Sequence, residues 1–502
     1  MHAILLALLG GGLSVFSFAP FGWWPLQYAT LALLLHLLAQ TSSIRTSFLI
    51  GWAFGTGWLA AGVYWLFISM HQYGGMPAPM AGLAVLLLSG FLSLLPAGAF
   101  AFAAWMRTRC TLPHAAFLLL VLPAMWALSE WTRGWIFTGF PWIASGYAHS
   151  NAPLAGYASL IGVYGIGWLA ALIAGTLLLV RERKAWIALP VVVLAGGMGL
   201  QTFLWTQPHG TPISVRLLQG NVPQEIKFDV DQANLTLRQY EDLMRAAPAD
   251  LIATPETALP LLLHQLPEDY LPRLAEFATA TGSHLAIGVP VSDSSQAYAN
   301  SVIGIAPAET GSPKLYRYDK HHLVPFGEFI PFGFRWFVNM MHIPLGDFTR
   351  GSDKPWPFAV KDQWVLPNIC YEDLFGEEIA GQLRAARADG TPEASMLLNV
   401  SNIAWFGDSI ALPQHLQISQ LRALETGRPM MRATNTGATA VIDPHGKVAA
   451  LLAPFTLDTL TASVQGYRGT TPYILLGNAA IVLLALLALV SAVLIGRRAK
   501  HH

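Results

Sequence analysis

Charge is what this 502-residue chain has least of. Asp, Glu, Lys and Arg supply only 12% of it, about half the share usual in a soluble domain. That shortage excludes a protein whose whole surface meets water. The composition is 54% hydrophobic and the mean hydropathy is +0.46. The 29 basic and 29 acidic residues cancel, so nothing implies a nucleic-acid partner or any strongly charged one. Cysteine is scarce too: Cys110 and Cys370 are too few for a disulfide framework. There is no internal repeat and no low-complexity linker. His321 and His322 lack further ligands at metal-binding spacing, so neither a metal nor a cofactor is expected.

What the chain does have is long apolar runs. They fall near Ala3–Phe18, Trp24–Leu38, Ser47–Ile68, Ala81–Trp105, Ala115–Trp131, Ala158–Val180, Ala185–Trp205 and Tyr473–Gly496. Most reach the ~20 residues that cross a ~30 Å hydrocarbon layer, and the first two are marginal. The first lacks a basic leader and runs into Ala19-Pro-Phe-Gly-Trp-Trp rather than a small-residue cleavage site, so it reads as a span, not a signal peptide. Alternate connections carry Arg45, then Arg107 and Arg109, then Arg181, Arg183 and Lys184, then Arg497, Arg498 and Lys500. The short loops on the other side hold only Arg133. The positive-inside rule makes the basic set cytoplasmic, which predicts eight spans with both termini inside. Cys110 and Cys370 then lie on opposite sides of the bilayer.

The expected organisation is a seven-helix bundle over 1–206, an extracytoplasmic domain over 212–466 and an eighth helix over 472–496. In the middle region short β-rich runs alternate with helix-like stretches. The runs are Ser214–Leu218, Leu251–Thr254, Leu285–Val289, Ser301–Ile305, Trp364–Ile369, Ser395–Val400 and Ala438–Ile442, and the helix-like stretches include Gln232–Ala246, Leu271–Thr281 and Leu412–Thr426. That alternation reads as one α/β domain. Within it, Phe329–Leu345 is apolar, aromatic and broken by proline. It reads either as a core-packed loop or, preferably, as an interfacial arm beside the site.

Three residues each follow a strand-like run: Glu256 in Thr254-Pro-Glu-Thr, Lys320 in Tyr318-Asp-Lys-His, and Cys370 in Val365-Leu-Pro-Asn-Ile-Cys-Tyr-Glu. Strand ends are where α/β sheets present side chains to a crevice. Singly, each has a bland reading: a buried small hydrophobe, a helix-start neighbour, a solvated charge. Together they offer a thiol nucleophile, a carboxylate to take its proton and a cation for an oxyanion, with the Tyr371 N–H as second donor. Attack on an ester gives a thioester, which an amine opens if water is kept away.

These patterns resemble the nitrilase (carbon–nitrogen hydrolase) superfamily and its Glu-Lys-Cys triad. Further matching stretches are Leu398-Asn-Val-Ser-Asn402, Trp405-Phe-Gly-Asp408, Arg422-Ala-Leu-Glu425-x-x-Arg428-Pro and Arg432-Ala-x-Asn435-Thr-Gly437. With the predicted spans, the chain resembles the bacterial apolipoprotein N-acyltransferase family from end to end. Its more particular marks are Gln219-Gly-Asn221-x-Pro-Gln224, Lys320-x-x-Leu-Val-Pro-Phe-Gly-Glu328 and Cys370-Tyr371-Glu372.

The resemblance implies a nitrilase-like αββα sandwich on a membrane bundle in the bacterial inner membrane, with the sandwich on the periplasmic side. It implies a phospholipid donor and a diacylglyceryl-cysteine α-amine on an apolipoprotein as acceptor, handled by a monomer. It also implies supporting or substrate-binding roles for Glu328, Tyr371, Glu372, Phe228 and Trp336. The chain departs from the family at Phe228, where tryptophan is usual: the aromatic face is kept and the indole N–H lost. Two rival readings are a membrane-tethered amidase and a transporter with a regulatory domain. Eight spans would be unexplained in the first. The second would need ionisable groups within the spans, and there are almost none; Glu130 sits near an end.

Overall fold

The computed structural model describes residues 1–294, 297–307, 315–331, 333, 335 and 348–500. The chain divides into two compact units. One contains Met1–Phe67, Pro77–Phe203 and Thr471–His502; the other contains Ile68–Met76 and Leu204–Thr470.

The first unit is helical. Among the described residues, four of its helical stretches suffice by length and composition to cross a membrane: Ala78–Arg109, His114–Arg133, Pro153–Leu179 and Ala479–Ala499. A bent pair, Ile44–Gly62 with Leu66–Tyr73, makes a fifth if counted as one span. His2–Ser17, Trp24–Ala39 and Lys184–Leu200 are apolar helices of lesser length. All eight expected runs are therefore helical, while the length criterion is met by four or five. The 16 residues of Trp24–Ala39 rise roughly 24 Å at 1.5 Å each, short of the hydrocarbon layer. The run expected over Ser47–Ile68 stops at Gly62, and Ile68–Met76 belongs to the second unit, where Tyr73 packs edge-on against Trp405 at 5.8 Å.

Glu130 and Arg133, inside the helical unit, find partners close by in sequence. Glu130 is buried and accepts the Ser145 N–H at 2.6 Å. Arg133 donates to the Phe140 and Trp142 carbonyls at 2.5 and 2.9 Å. These bonds pin the aromatic loop that follows Trp131.

The second unit is built on two six-stranded sheets. The first holds β1 (Thr206–Gln219), β2 (Leu251–Ala253), β3 (His284–Ser294), β4 (Ala297–Ile305), β5 (Tyr316–Asp319) and β12 (Asp458–Gly469), in the order β12-β1-β2-β3-β4-β5. The second holds β6 (Phe358–Val360), β7 (Gln363–Ile369), β8 (Met396–Ser401), β9 (Met430–Thr434), β10 (Ala440–Ile442) and β11 (Val448–Leu451), in the order β11-β10-β9-β8-β7-β6. Strands β1-β2-β3 and β7-β8-β9 are parallel.

Side-chain alternation explains the layering. Val215, Leu217, Leu251 and Ala253 turn into a core shared with Met396, Leu398 and Val400 of the other sheet. Their neighbours Leu218, Ile252, Leu285 and Ile287 turn outward against Leu237, Tyr240, Leu274 and Ala278 of helices Val230–Arg245 and Tyr270–Thr281. Helix Ala411–Thr426 packs on β9 and β10. The result is the α/β sandwich, helix layer against sheet against sheet against helix. Strands β6, β9, β11 and β12 and helix Gly376–Asp389 escaped the sequence reading. Strand β9 carries the buried Arg432, so it does not advertise itself by an apolar run.

Candidate active site

Glu256, Lys320 and Cys370 each sit just beyond the end of a strand: β2, β5 and β7 respectively. Glu256 is carried on a tight turn whose next residue, Thr257, has φ +48°. The turn lies so close to β3 that a Cβ at Gly288 would meet the Pro255 carbonyl oxygen at 2.1 Å, which only glycine avoids. The Gly288 N–H donates to Thr254 Oγ1 at 2.9 Å and fixes the strand end.

The structure brings Lys320 onto the carboxylates. Its Nζ lies 3.3 Å from Glu256 Oε1 and 2.8 Å from Glu328 Oε1, with the lysine side chain fully buried. Asn300 of β4 bridges the same two oxygens, donating at 2.7 and 3.0 Å. The other oxygens are held as well: Glu256 Oε2 accepts the Asn402 N–H at 2.9 Å, and Glu328 Oε2 accepts the Val324 N–H at 2.9 Å. Burial by itself would lower the Lys320 pKa, but Glu256 and Glu328 outweigh it and hold the group well above its ordinary value. Paired with two carboxylates, Lys320 is held in its charged form.

Cys370 begins a short 3₁₀ turn, Cys370–Leu374, and is partly buried. Its φ is +52°, a left-handed conformation that costs a non-glycine residue of order 1 kcal/mol and is kept where the surroundings demand it. Burial pushes the thiol up to about 12; Glu256 adds to the rise, and Lys320 opposes it. The resting sulfur is a neutral thiol, so reaction requires a group to take its proton. Cys110 and Cys370 are both free.

Glu372 joins the cysteine turn to the lysine loop. Its Oε2 accepts from Tyr318 Oη at 2.7 Å and from the Ile369 N–H at 2.6 Å. Its Oε1 accepts the N–H groups of His321 and His322 at 2.7 and 3.1 Å. Replacing Glu372 with alanine leaves three buried donors and the part-buried His321 N–H without that acceptor, at about 1–3 kcal/mol for each buried one that finds no substitute. The expected outcome is a clearly lowered melting temperature together with slowed acylation, read by thermal unfolding and by acyl-adduct formation.

The remaining expected residues divide. Tyr371 is buried, its ring edge-on to Phe375 at 5.2 Å. Phe228 is 46% exposed, whereas the adjacent Lys227 is buried and donates to the Glu256 carbonyl oxygen at 3.3 Å. Burial lowers the Lys227 pKa to about 8, against the pull of Glu256 and Cys370. The first motif thus sends its lysine, rather than its ring, to the buried cluster. Trp336, and most of the arm over 329–345, lies outside the described residues.

Sequence reasoning missed Lys227 and Asn300 and gave Asn402 no role beyond its place in a matching stretch. Asn300 had left a signal: an amide inside the apolar run of β4, buried with its neighbour Ser301. Asn402 is held from the first motif, its Nδ2 donating to Gln224 Oε1 at 2.9 Å, and from Asn435 at 3.2 Å.

A cysteine, a carboxylate and a buried lysine at the strand ends of this sandwich define a class, and residues 214–473 match the carbon-nitrogen hydrolase family model. Among solved structures, an amidase from Nesterenkonia sp. is similar at 19% identity and TM-score 0.34, covering 51% of this chain and 92% of that one. Residues 10–176 match the apolipoprotein N-acyltransferase N-terminal domain. The apolipoprotein N-acyltransferase of Ralstonia nicotianae is 51% identical over 98% of this chain and 94% of its own length. That of Nitrosomonas europaea is 44% identical over 99% and 98%. The chain belongs to the apolipoprotein N-acyltransferase family, as a membrane protein with a nitrilase-like α/β unit.

Proposed function

We propose that this protein transfers a fatty acyl chain from a phospholipid to the α-amine of an S-diacylglyceryl-cysteine on an apolipoprotein, through a thioester on Cys370. The observation that carries the mechanism is the double pairing of buried Lys320 with Glu256 and Glu328, which commits the lysine to its charged form and leaves Glu256 as the base. Glu256 takes the thiol proton as sulfur attacks the ester carbonyl. Lys320 and the Tyr371 N–H stabilise the oxyanion. The C–O bond breaks, Glu256 passes its proton to the leaving alcohol, and a lysophospholipid departs. The incoming amine, as the free base, then attacks the thioester and loses a proton to Glu256. The C–S bond breaks and the thiol regains its proton, leaving an amide. Glu328 holds Lys320, and Glu372 and Tyr371 keep the two loops in register, while the aromatic faces of Phe228 and Trp336 take the lipid. Intact-mass spectrometry of the protein purified from membranes tests the reading: an acyl mass on Cys370 is expected, and its absence under donor saturation would overturn it.

The proposed setting is the inner membrane, with eight spans, both termini cytoplasmic, the α/β unit periplasmic and the protein acting as a monomer. Three spans would be short helices tilted little and flanked by locally thinned bilayer. A reporter fused at residue 300 is expected to read as periplasmic. A cytoplasmic signal would exclude both the orientation and the acceptor, since lipoprotein amines are displayed outside.

A further inference from the structure

Behind the cysteine lies a buried polar chain that the proposed mechanism does not use. The Cys370 carbonyl oxygen is approached by His415 Nε2 at 3.3 Å and by Asn399 Nδ2 at 3.3 Å. On the other edge of the same imidazole, Nδ1 lies 2.9 Å from Arg432 Nη2. A guanidinium only donates, so Nδ1 is the acceptor and Nε2 carries the proton. Arg432 is itself fixed, by Asp373 Oδ2 at 3.2 Å, by the Ser419 hydroxyl and by the Ala438 carbonyl at 3.2 Å from Nε. His415, Arg432, Asp373 and Ser419 are all fully buried.

We infer that His415 is a positioning residue that aims the oxyanion donor. The peptide joining Cys370 to Tyr371 is planar and trans, so its C=O and N–H point in opposite directions. Holding the carbonyl therefore sets the direction of the Tyr371 N–H. A nucleophile on a left-handed elbow with the following N–H as oxyanion donor is a known solution for acyl transfer, and Cys370 has that backbone, at φ +52°. An imidazole serves here only if Nε2 carries a proton, and beside the Arg432 guanidinium, which needs Nδ1 as its acceptor, it does so as the neutral ring. Burial, then the Arg432 charge, keeps His415 well below its usual pKa and so neutral. Arg432 selects the tautomer, and helix Ala411–Thr426 supplies a rigid mount.

The inference rests on the proposed thioester mechanism, and two probes of the same sulfur separate the two. A p-nitrophenyl acyl ester acylates Cys370 through a tetrahedral oxyanion; iodoacetamide alkylates it by displacement with no charge on oxygen. In His415→Leu the acylation burst is expected to slow roughly 30–100-fold, the range lost with a weakened oxyanion donor, through its rate constant rather than its KM. Alkylation is expected to stay within about twofold of wild type, since the thiol and Glu256 are untouched. His415→Gln, which can return an N–H to the carbonyl, is expected to recover most of the burst and covers the case in which the leucine variant does not fold. Equal loss of acylation and alkylation in the glutamine variant, or acylation at the wild-type rate in the leucine variant, would overturn the assignment. A wild-type protein that alkylates but never acylates would overturn the thioester mechanism as well, a result distinct from either.

Discussion

Cys370→Ala is expected to abolish acyl transfer, on the order of 10⁴-fold or more, as removal of a covalent nucleophile does elsewhere. The loss should leave the fold intact, because the residue is only partly buried and alanine removes only the sulfur. Relief is also unavailable from a neighbour: Lys320 is held protonated by two carboxylates, and Cys110 belongs to the helical unit. The check is single-turnover transfer from a phospholipid donor in detergent, alongside thermal unfolding. Cys110→Ala, prepared in parallel, should transfer at the wild-type rate. Substantial transfer in Cys370→Ala would remove the thioester from the mechanism.

Lys320→Met is expected to combine a catalytic and a structural loss. Without the ammonium, acylation should slow about 10²–10³-fold, as for other oxyanion donors. Glu256 and Glu328 would then share Asn300 with no cation between them, and stranding buried charge in this way costs about 3–5 kcal/mol unless a proton is taken up. Glu256→Gln isolates the other half. Lys320 keeps Glu328 at 2.8 Å, so the variant should remain stable, yet the neutral thiol has lost its base and no thioester should form. The double variant Lys320→Met/Glu256→Gln is the decisive comparison: it should regain much of the melting temperature lost by Lys320→Met and none of the activity. If the double variant is no more stable than Lys320→Met, the buried pair does not govern stability at this site.

The placement of Lys227 beside Glu256 gives the cluster two buried lysines of opposite character. The one paired to two carboxylates is driven up, while the one offered only a carbonyl falls to about 8. Identical side chains diverge because the number of anionic partners, rather than depth alone, sets the sign of the shift.

Much of the molecule was legible in one dimension. Apolar runs located the long helices of the helical unit, since a run of apolar residues has no other way to satisfy its backbone in lipid. Charge scarcity gave the broad class, and alternating β-rich and helix-like stretches gave the α/β unit. Three strand ends presented Glu256, Lys320 and Cys370. Span count was less legible, because hydropathy measures composition while crossing requires length: Trp24–Ala39 is apolar enough but only 16 residues long. What tertiary structure alone decided is who meets whom. Strands β2, β4 and β5 belong to one sheet, with β3 between β2 and β4, so Asn300 comes to bridge Glu256, 44 residues before it, and Glu328. Nothing local to Glu372 announces that it accepts from both the cysteine turn and the lysine loop. His415 lies mid-helix, 45 residues from the cysteine whose carbonyl it holds. Sequence determined the chemistry available at each strand end, because side-chain type and local backbone preference are written residue by residue. Charge state, tautomer and aim were decided by the fold, because each depends on partners that only sheet pairing and burial bring within hydrogen-bond reach.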